Sequence, residues 1–376
     1  MSLLGLFLKF FKLGASGWGG PIGRIALIHE ELVVKEKWID EKKFGKVLAV
    51  YQALPGPEAT ELACYFGYSK MGRIGSIVSG LGFMLPGFIL MLIASYLYVN
   101  YGLKIPEVNA ILYGIRPVVA ALILHAIYTL GKANITDMKL VAISAVSLII
   151  FMFTRIDFLI ILAGAGLVSF LLYNVKIKKP TSASITPIIL PLLQFYSQLQ
   201  LPQIFLIFLL FLKAGLLTFG GAYSVVAFLQ QSAVYENHWL TNMQYLDGLS
   251  LGAIMPAPMV IIGTFVGYLA GGLIGAIVAT IGIFLPAFAF TLIGYEYIER
   301  AVDNKKLQFF LLGLTASVIG LVAATWLQLL PIAIIDIPTI ALALISLYLI
   351  IKKFNFIITI IGSGIIGLIL KFFIHV

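Results

Sequence analysis

Two lysines occupy the same place in two related apolar helices. Lys12 lies seven residues before Gly19-Gly20-Pro21, and Lys213 lies seven residues before Gly220-Gly221. A lysine within an apolar stretch is costly in a membrane and is by default a functional candidate. Tandem glycines loosen the backbone, and Pro21 suits the first turn of a new helix. A helix restarting there turns free amides and a positive dipole end toward what precedes it, which is anion-binding chemistry. A second break is also written twice, as Pro55-Gly56-Pro57 and Pro256-Ala257-Pro258. Proline removes an amide donor and interrupts the helix. Inside a bilayer such backbone survives only where protein or a water-filled cavity satisfies it. The bland alternatives are a lysine reaching to the interface and a purely structural kink.

The acidic groups are one-sided. His29-Glu30-Glu31 corresponds to Gln230-Gln231-Ser232, while Glu58 and Glu61 correspond to Met259 and Ile262. Ionisable residues confined to one half are candidates for coupling, for example proton exchange. Arg24 and Arg116, in apolar stretches of the first half, could balance them or contact an anion. Thus Arg24, His29, Glu30, Glu58, Glu61 and Arg116 form a coupling or charge-balance set. The alternative for His29, Glu30 and Glu31 is a helix end beside a basic loop.

These residues need elements to hold them, and composition says which kind. The 376 residues are 61% hydrophobic and 11% charged, with mean hydropathy +1.06. Soluble domains carry roughly 45–50% apolar and about 25% charged residues, so an ordinary soluble enzyme is excluded. At roughly 20 apolar residues per crossing, the chain has room for about ten to twelve membrane segments. Cys64 stands alone, and His29, His125, His238 and His375 form no ligand pattern, so no metal or redox cofactor is expected. The net charge of +9 fits basic cytoplasmic loops and gives no reason to expect nucleic acid.

The chain is one unit written twice. FLKFFKLGASGWGG at 7–20 recurs as FLLFLKAGLLTFGG at 208–221, and LPGP at 54–57 recurs as MPAP at 255–258. This predicts a first repeat at 1–175, a linker at 176–202 and a second repeat at 203–376. Residues 35–46 hold five lysines, whereas 236–247 hold no Lys or Arg, and the bias reverses later in the chain. Exchanged loop charge indicates opposite orientation. The expected fold is therefore an all-α polytopic membrane protein, an inverted-topology internal repeat with broken helices and re-entrant hairpins at 47–69 and 245–269. The Leu85-Pro86 and Leu285-Pro286 kinks read as structural. Residues 3–34 read either as one broken crossing with an interfacial helix or as another hairpin. An odd number of crossings per half favours the former, unless 184–200 supplies the extra one.

The ordered motifs FKLGASGWGGP, HEE, KWIDEKKF, LPGPEA and GIRPVV, with FLKAGLLTFGG and MPAPMVIIGTFVGY in the second half, resemble the chromate transporter family in its long, duplicated form. That resemblance implies chromate transport, typically efflux across the cell membrane, with sulfate as the related oxyanion. It places the family's conserved elements on Lys12, Gly19, Gly20, Pro55, Gly56, Pro57, Lys213, Gly220, Gly221, Pro256 and Pro258, with Ala257 as a departure. Alternating access between the halves is the expected mechanism; an anion channel is the competing one. The expected partners are an inorganic oxyanion and the lipid bilayer, with a homodimer left open.

Overall fold

The computed structural model describes residues 1–18, 20–54, 56–102, 104–154, 156–173, 202–218, 223–302 and 305–372. The expected linker, 184–200 included, and Gly19, Pro55, Gly220 and Gly221 lie outside them. The described elements are helical. The first half runs α1 (Leu3–Ser16), α2 (Gly20–Ile28) with a π-helical turn His29–Lys35, α3 (Glu41–Ala53), α4 (Glu58–Leu97), α5 (Pro106–Asn134), α6 (Met138–Phe153) and α7 (Phe158–Tyr173). The second half repeats the order: α8 (Gln203–Leu216), α9 (Tyr223–Leu229) with a π-helical turn Gln230–Glu236, α10 (Asn242–Ile254), α11 (Ile262–Val302), α12 (Lys305–Ala333), α13 (Ile337–Ile351) and α14 (Phe356–Lys371).

Among the described residues, four stretches are long and apolar enough to cross a membrane: Glu58–Gly102, Pro106–Asn134, Met259–Leu292 and Lys306–Ala333. Large apolar side chains such as Ile149, Leu167, Leu344 and Ile365 are more than half exposed. That surface suits lipid, and the chain is an all-α polytopic membrane protein.

The sharp break in α4 is not at Pro86. Met71 (φ −140°, ψ 22°) and Gly72 (φ 62°, ψ −150°) leave helical geometry, so α4 is two helices, 58–70 and 73–97. Gly72 takes the left-handed conformation that a side chain disfavours, and Gly272 does the same in α11. After this turn the chain runs back along itself. The Ser79 hydroxyl donates to the Ala63 carbonyl at 2.8 Å, and a Cβ on either Gly67 or Gly75 would collide with the other's carbonyl.

Residues 41–70 form a helical hairpin whose two ends lie together. Trp38 packs 6.1 Å from Phe66, the Lys70 ammonium sits 4.7 Å over the Trp38 ring, and Phe44 stacks on Phe66 at 6.5 Å. Residues 3–36 also fold back. Lys9, midway along α1, pairs with Glu36 beyond the π-helical turn, and Phe10 meets Trp38 edge-on at 6.2 Å. The described residues of this segment therefore fold back on one another, in keeping with the hairpin alternative. Beyond Gly17, to whose carbonyl Arg24 donates, α2 packs against α4.

The halves interlock. α6 and α7 pack against α12 of the second half, while α13 and α14 pack against α5 of the first. Small residues allow it: a Cβ on Gly114 would collide with the Ser363 carbonyl, and one on Gly320 with the Ser144 carbonyl. Hydrogen bonds fasten the exchange. Trp326 Nε1 donates to the Ala120 carbonyl at 2.9 Å, the Ser169 hydroxyl to the Phe309 carbonyl at 2.7 Å, and the Tyr113 hydroxyl to Asp336 at 2.6 Å. The point where the sequence repeats is therefore not a boundary of packing.

Candidate functional site

Residues beside the helix breaks of one half meet those of the other in two pairs. α1 ends at Ser16, whose hydroxyl donates back to the Lys12 carbonyl. Arg24, one turn into α2, folds toward this end. Its Nε donates to the Gly17 carbonyl at 2.9 Å. Its Nη2 donates to the Pro256 carbonyl, in the proline-rich break of the other half. The guanidinium lies 5.0 Å from the Phe83 ring centre, and the side chain is 1% exposed. Its Nη1 has no hydrogen-bond partner among the described residues. A desolvated guanidinium with an unused donor is suited to an anion, because its attraction is little screened.

The complementary pair of breaks meets as well. The Gly56 amide donates to the Thr218 carbonyl at 2.8 Å. Thr218 follows α8 and precedes the second tandem glycine, and its hydroxyl is turned inward to the Ala214 carbonyl at 2.8 Å. So a described residue beside the glycine-rich break of each half, Arg24 or Thr218, touches the proline-rich break of the other. Gly56 is not in a left-handed conformation; close approach explains it. A Cβ there would collide with the Glu61 carboxyl. In the second half, Ala257 packs against Gly87 of α4 with no room for a Cβ on that glycine.

Of the expected substrate residues, Gly56, Pro57, Pro256, Ala257 and Pro258 are buried at this junction, and Gly20 opens α2. The lysines fare differently: Lys12 is exposed on α1 and Lys213 is half-buried on α8. Gly14 and Gly215, close by in sequence, carry the tight helix crossings, against the carbonyls of Phe83 and Ile283.

The charge-balance set separates into three places. Arg24 is at the junction. Glu61 is fully buried beneath Gly56, with Glu58 half-buried at the start of the same helix. His29 and Glu30 lie at the hairpin bases. His29 Nε2 is 2.8 Å from Glu41, and the Lys35 ammonium lies 3.9 Å from Glu30 and 2.7 Å from Glu31. Lys35 holds the Glu31 carboxyl below the usual carboxylate range through its hydrogen bond. The positions of His29, Glu30, Glu31 and Glu41 are uncharged in the second half, where Gln230 Nε2 donates to Asn242 at 2.8 Å.

Arg116 is elsewhere again. It grips Asp247 of the other half, with Nε at 2.7 Å from Oδ1 and Nη2 at 3.2 Å from Oδ2, and the Tyr98 hydroxyl donates to Oδ2 at 2.8 Å. Asp247, Thr218 and Gly87 escape sequence reasoning. Asp247 could have been suspected as a lone acid in the apolar NMQYLDGLSLG; Thr218 and Gly87 carry no local signal.

The chromate transporter family profile matches residues 4–170 and again 205–368. The chain belongs to the chromate transporter family. Among its relatives, a chromate transport protein of Pseudomonas aeruginosa is 40% identical over 98% of this chain and 92% of the relative. A chromate transport protein of Cupriavidus metallidurans is 32% identical over 97% and 92%. An uncharacterized transporter of Methanocaldococcus jannaschii is 28% identical over 97% and 94%. No solved structure matches this chromate transporter family member significantly. In this family member, the two matched regions are those whose glycine-rich and proline-rich breaks meet in exchange.

Proposed function

We propose that the protein carries chromate out of the cell across the plasma membrane, by alternating access at the junction between two inverted repeats. The observation that carries the reading is the reciprocal meeting of the four breaks, with a buried guanidinium donor left unused there. A divalent oxyanion is strongly disfavoured in a dry interior without donors and opposite charge. Arg24, the backbone at Gly56 and Thr218, and the breaks at Gly19-Gly20 and Gly220-Gly221 are our substrate residues. Lys12 and Lys213 supply positive potential at the approaches. The names of the curated relatives favour chromate as the cargo.

Inversion is supported by the loop charges and by the course of α4. Its turn at Gly72 adjoins the base of the first-half hairpin. Further along, Gly87 reaches Ala257, Met91 reaches Gly252 and Tyr98 reaches Asp247 and Phe265. One crossing helix thus leads from the base of one half's hairpin past the tip of the other's toward that other base. Because the terminal helix pairs are exchanged, the moving parts are the broken hairpins, sliding against an interlocked frame.

Purified protein in proteoliposomes should accumulate labelled chromate under an imposed membrane potential. Failure to do so in correctly folded protein sinks the reading. Sulfate is the runner-up cargo, since a guanidinium serves any tetrahedral dianion; unlabelled sulfate abolishing chromate uptake at low concentration would favour it. Single-channel current would favour a channel.

A further inference from the structure

We propose that Glu61 is a proton-binding site that couples proton movement to oxyanion transport, the proton and the oxyanion travelling in the same direction. The inference rests on the transport reading above and specifies its coupling ion.

Glu61 is 0% exposed, and neither of its carboxyl oxygens has a hydrogen-bond partner among the described residues. The Thr60 hydroxyl beside it is likewise buried without a partner. Burying a carboxylate with no donor or cation costs far more than burying the neutral acid. Among the described residues, the titratable group acting on Glu61 is Glu58, on its own helix, and it brings no positive charge. The Cys64 thiol, on the same helix, lies where a Cβ on Gly80 would collide with it and with Phe288. Among the described residues, no Lys, Arg or His of the packed helices α1, α2, α3 or α11 compensates it.

The fold does not need this acid. The corresponding residue of the second half is Ile262, also fully buried at the start of its helix. An apolar side chain therefore serves the architecture there, and the carboxyl is an addition peculiar to one half. Its place gives it a task. The Gly56 tip rests directly on the carboxyl, and that tip is hydrogen-bonded to Thr218 at the junction. Tip displacement is what would open the carboxyl to water. Then the O–H bond breaks, the proton passes to water and the electron pair stays on the carboxylate. The reverse step takes a proton from water before the tip closes again.

The direction follows from charge. A carboxylate and a dianion beside one tip repel each other, so the oxyanion is held while Glu61 carries its proton. Both are released when the tip opens to the other side. One proton accompanying one dianion leaves a net single negative charge moving, which an inside-negative potential still drives outward.

Two measurements on the full chain test this. The first is infrared difference spectroscopy between acidic and alkaline buffer, made without chromate. A protonated-carboxyl band should be present in the native protein and missing in Glu61→Gln. The second follows labelled chromate and an internal pH dye together in proteoliposomes. Inward chromate flux should acidify the lumen by about one proton per chromate, and Glu61→Gln should bring that ratio near zero. Glu61→Ile, copying the second half, repeats both readings should the glutamine variant not fold. Chromate flux with a silent pH dye, or an alkalinising one, overturns the inference and leaves the transport reading standing. Absence of all chromate flux with the infrared band intact condemns the transport reading instead. An infrared band unchanged by either substitution overturns the proton site itself.

Discussion

Gly87 of α4 and Ala257 at the second-half tip touch so closely that a methyl group on Gly87 would overlap the Ala257 Cβ. The sequence carries the pair in reverse at the repeated positions, with Gly56 at the first-half tip and Ala287 in α11. The observed Gly87–Ala257 contact thus has room for one methyl group. Gly87→Ala should destabilise the folded protein by about 1–3 kcal/mol through overpacking. Adding Ala257→Gly should restore most of the loss. Thermal unfolding of the two single variants and the double variant in detergent measures the coupling, and strictly additive losses would refute direct contact.

The Arg116–Asp247 pair has a different energetic character. Asp247 is completely buried and Arg116 nearly so. Removing one partner strands a charge, so Asp247→Asn or Arg116→Met should each cost about 3–5 kcal/mol. Removing both should cost less than either alone. Tyr98→Phe, which deletes one donor to Asp247, should cost on the order of 1–3 kcal/mol. Denaturation midpoints of this series test the ordering.

Arg24 and the two lysines make opposite predictions about the anion. Arg24→Gln removes a dry charge with an unused donor, worth about 1.5–3 kcal/mol to a charged ligand, or roughly a ten- to hundredfold rise in chromate KM. Lys12→Ala, on an exposed position, should raise KM less and respond more to salt. Flux assays at two ionic strengths separate them. Equal losses from both substitutions would move the anion away from Arg24.

The His29–Glu41 pair lies at an exposed base, and the second half replaces it with Gln230–Asn242. Exchanging His29→Gln together with Glu41→Asn copies that neutral contact. Because exposed ion pairs contribute about 0–1 kcal/mol, the melting temperature should change little on this exchange. A large stability loss that shrinks as salt is added would show that the pair contributes more than a screened surface contact.

Much of the site was legible because its signals are local. Proline and tandem glycine break a helix wherever they stand, and a duplicated chain shows each break twice. The hairpin expected at 47–69 was readable from the basic loops on either side of it and the Pro55-Gly56-Pro57 break. Its neighbour at 3–36 was not, because its turn depends on Arg24 reaching back to Gly17 and across to Pro256, a contact spanning 232 positions. Gly72 and Gly272 stood in a glycine-rich run that marks close packing but not which glycine turns the chain.

Apolar composition, duplication and the positions of the breaks were settled by the order of residues, since solvent preference and backbone restriction act within a few positions. Only the tertiary structure decided that the breaks meet in exchange, that Arg24 rather than Lys12 lies at their junction, and that the halves trade their last two helices. Helical spacing fixes the direction of a side chain about its own axis. The partner opposite is chosen by the packing of helices some two hundred residues apart, and no local pattern records that choice.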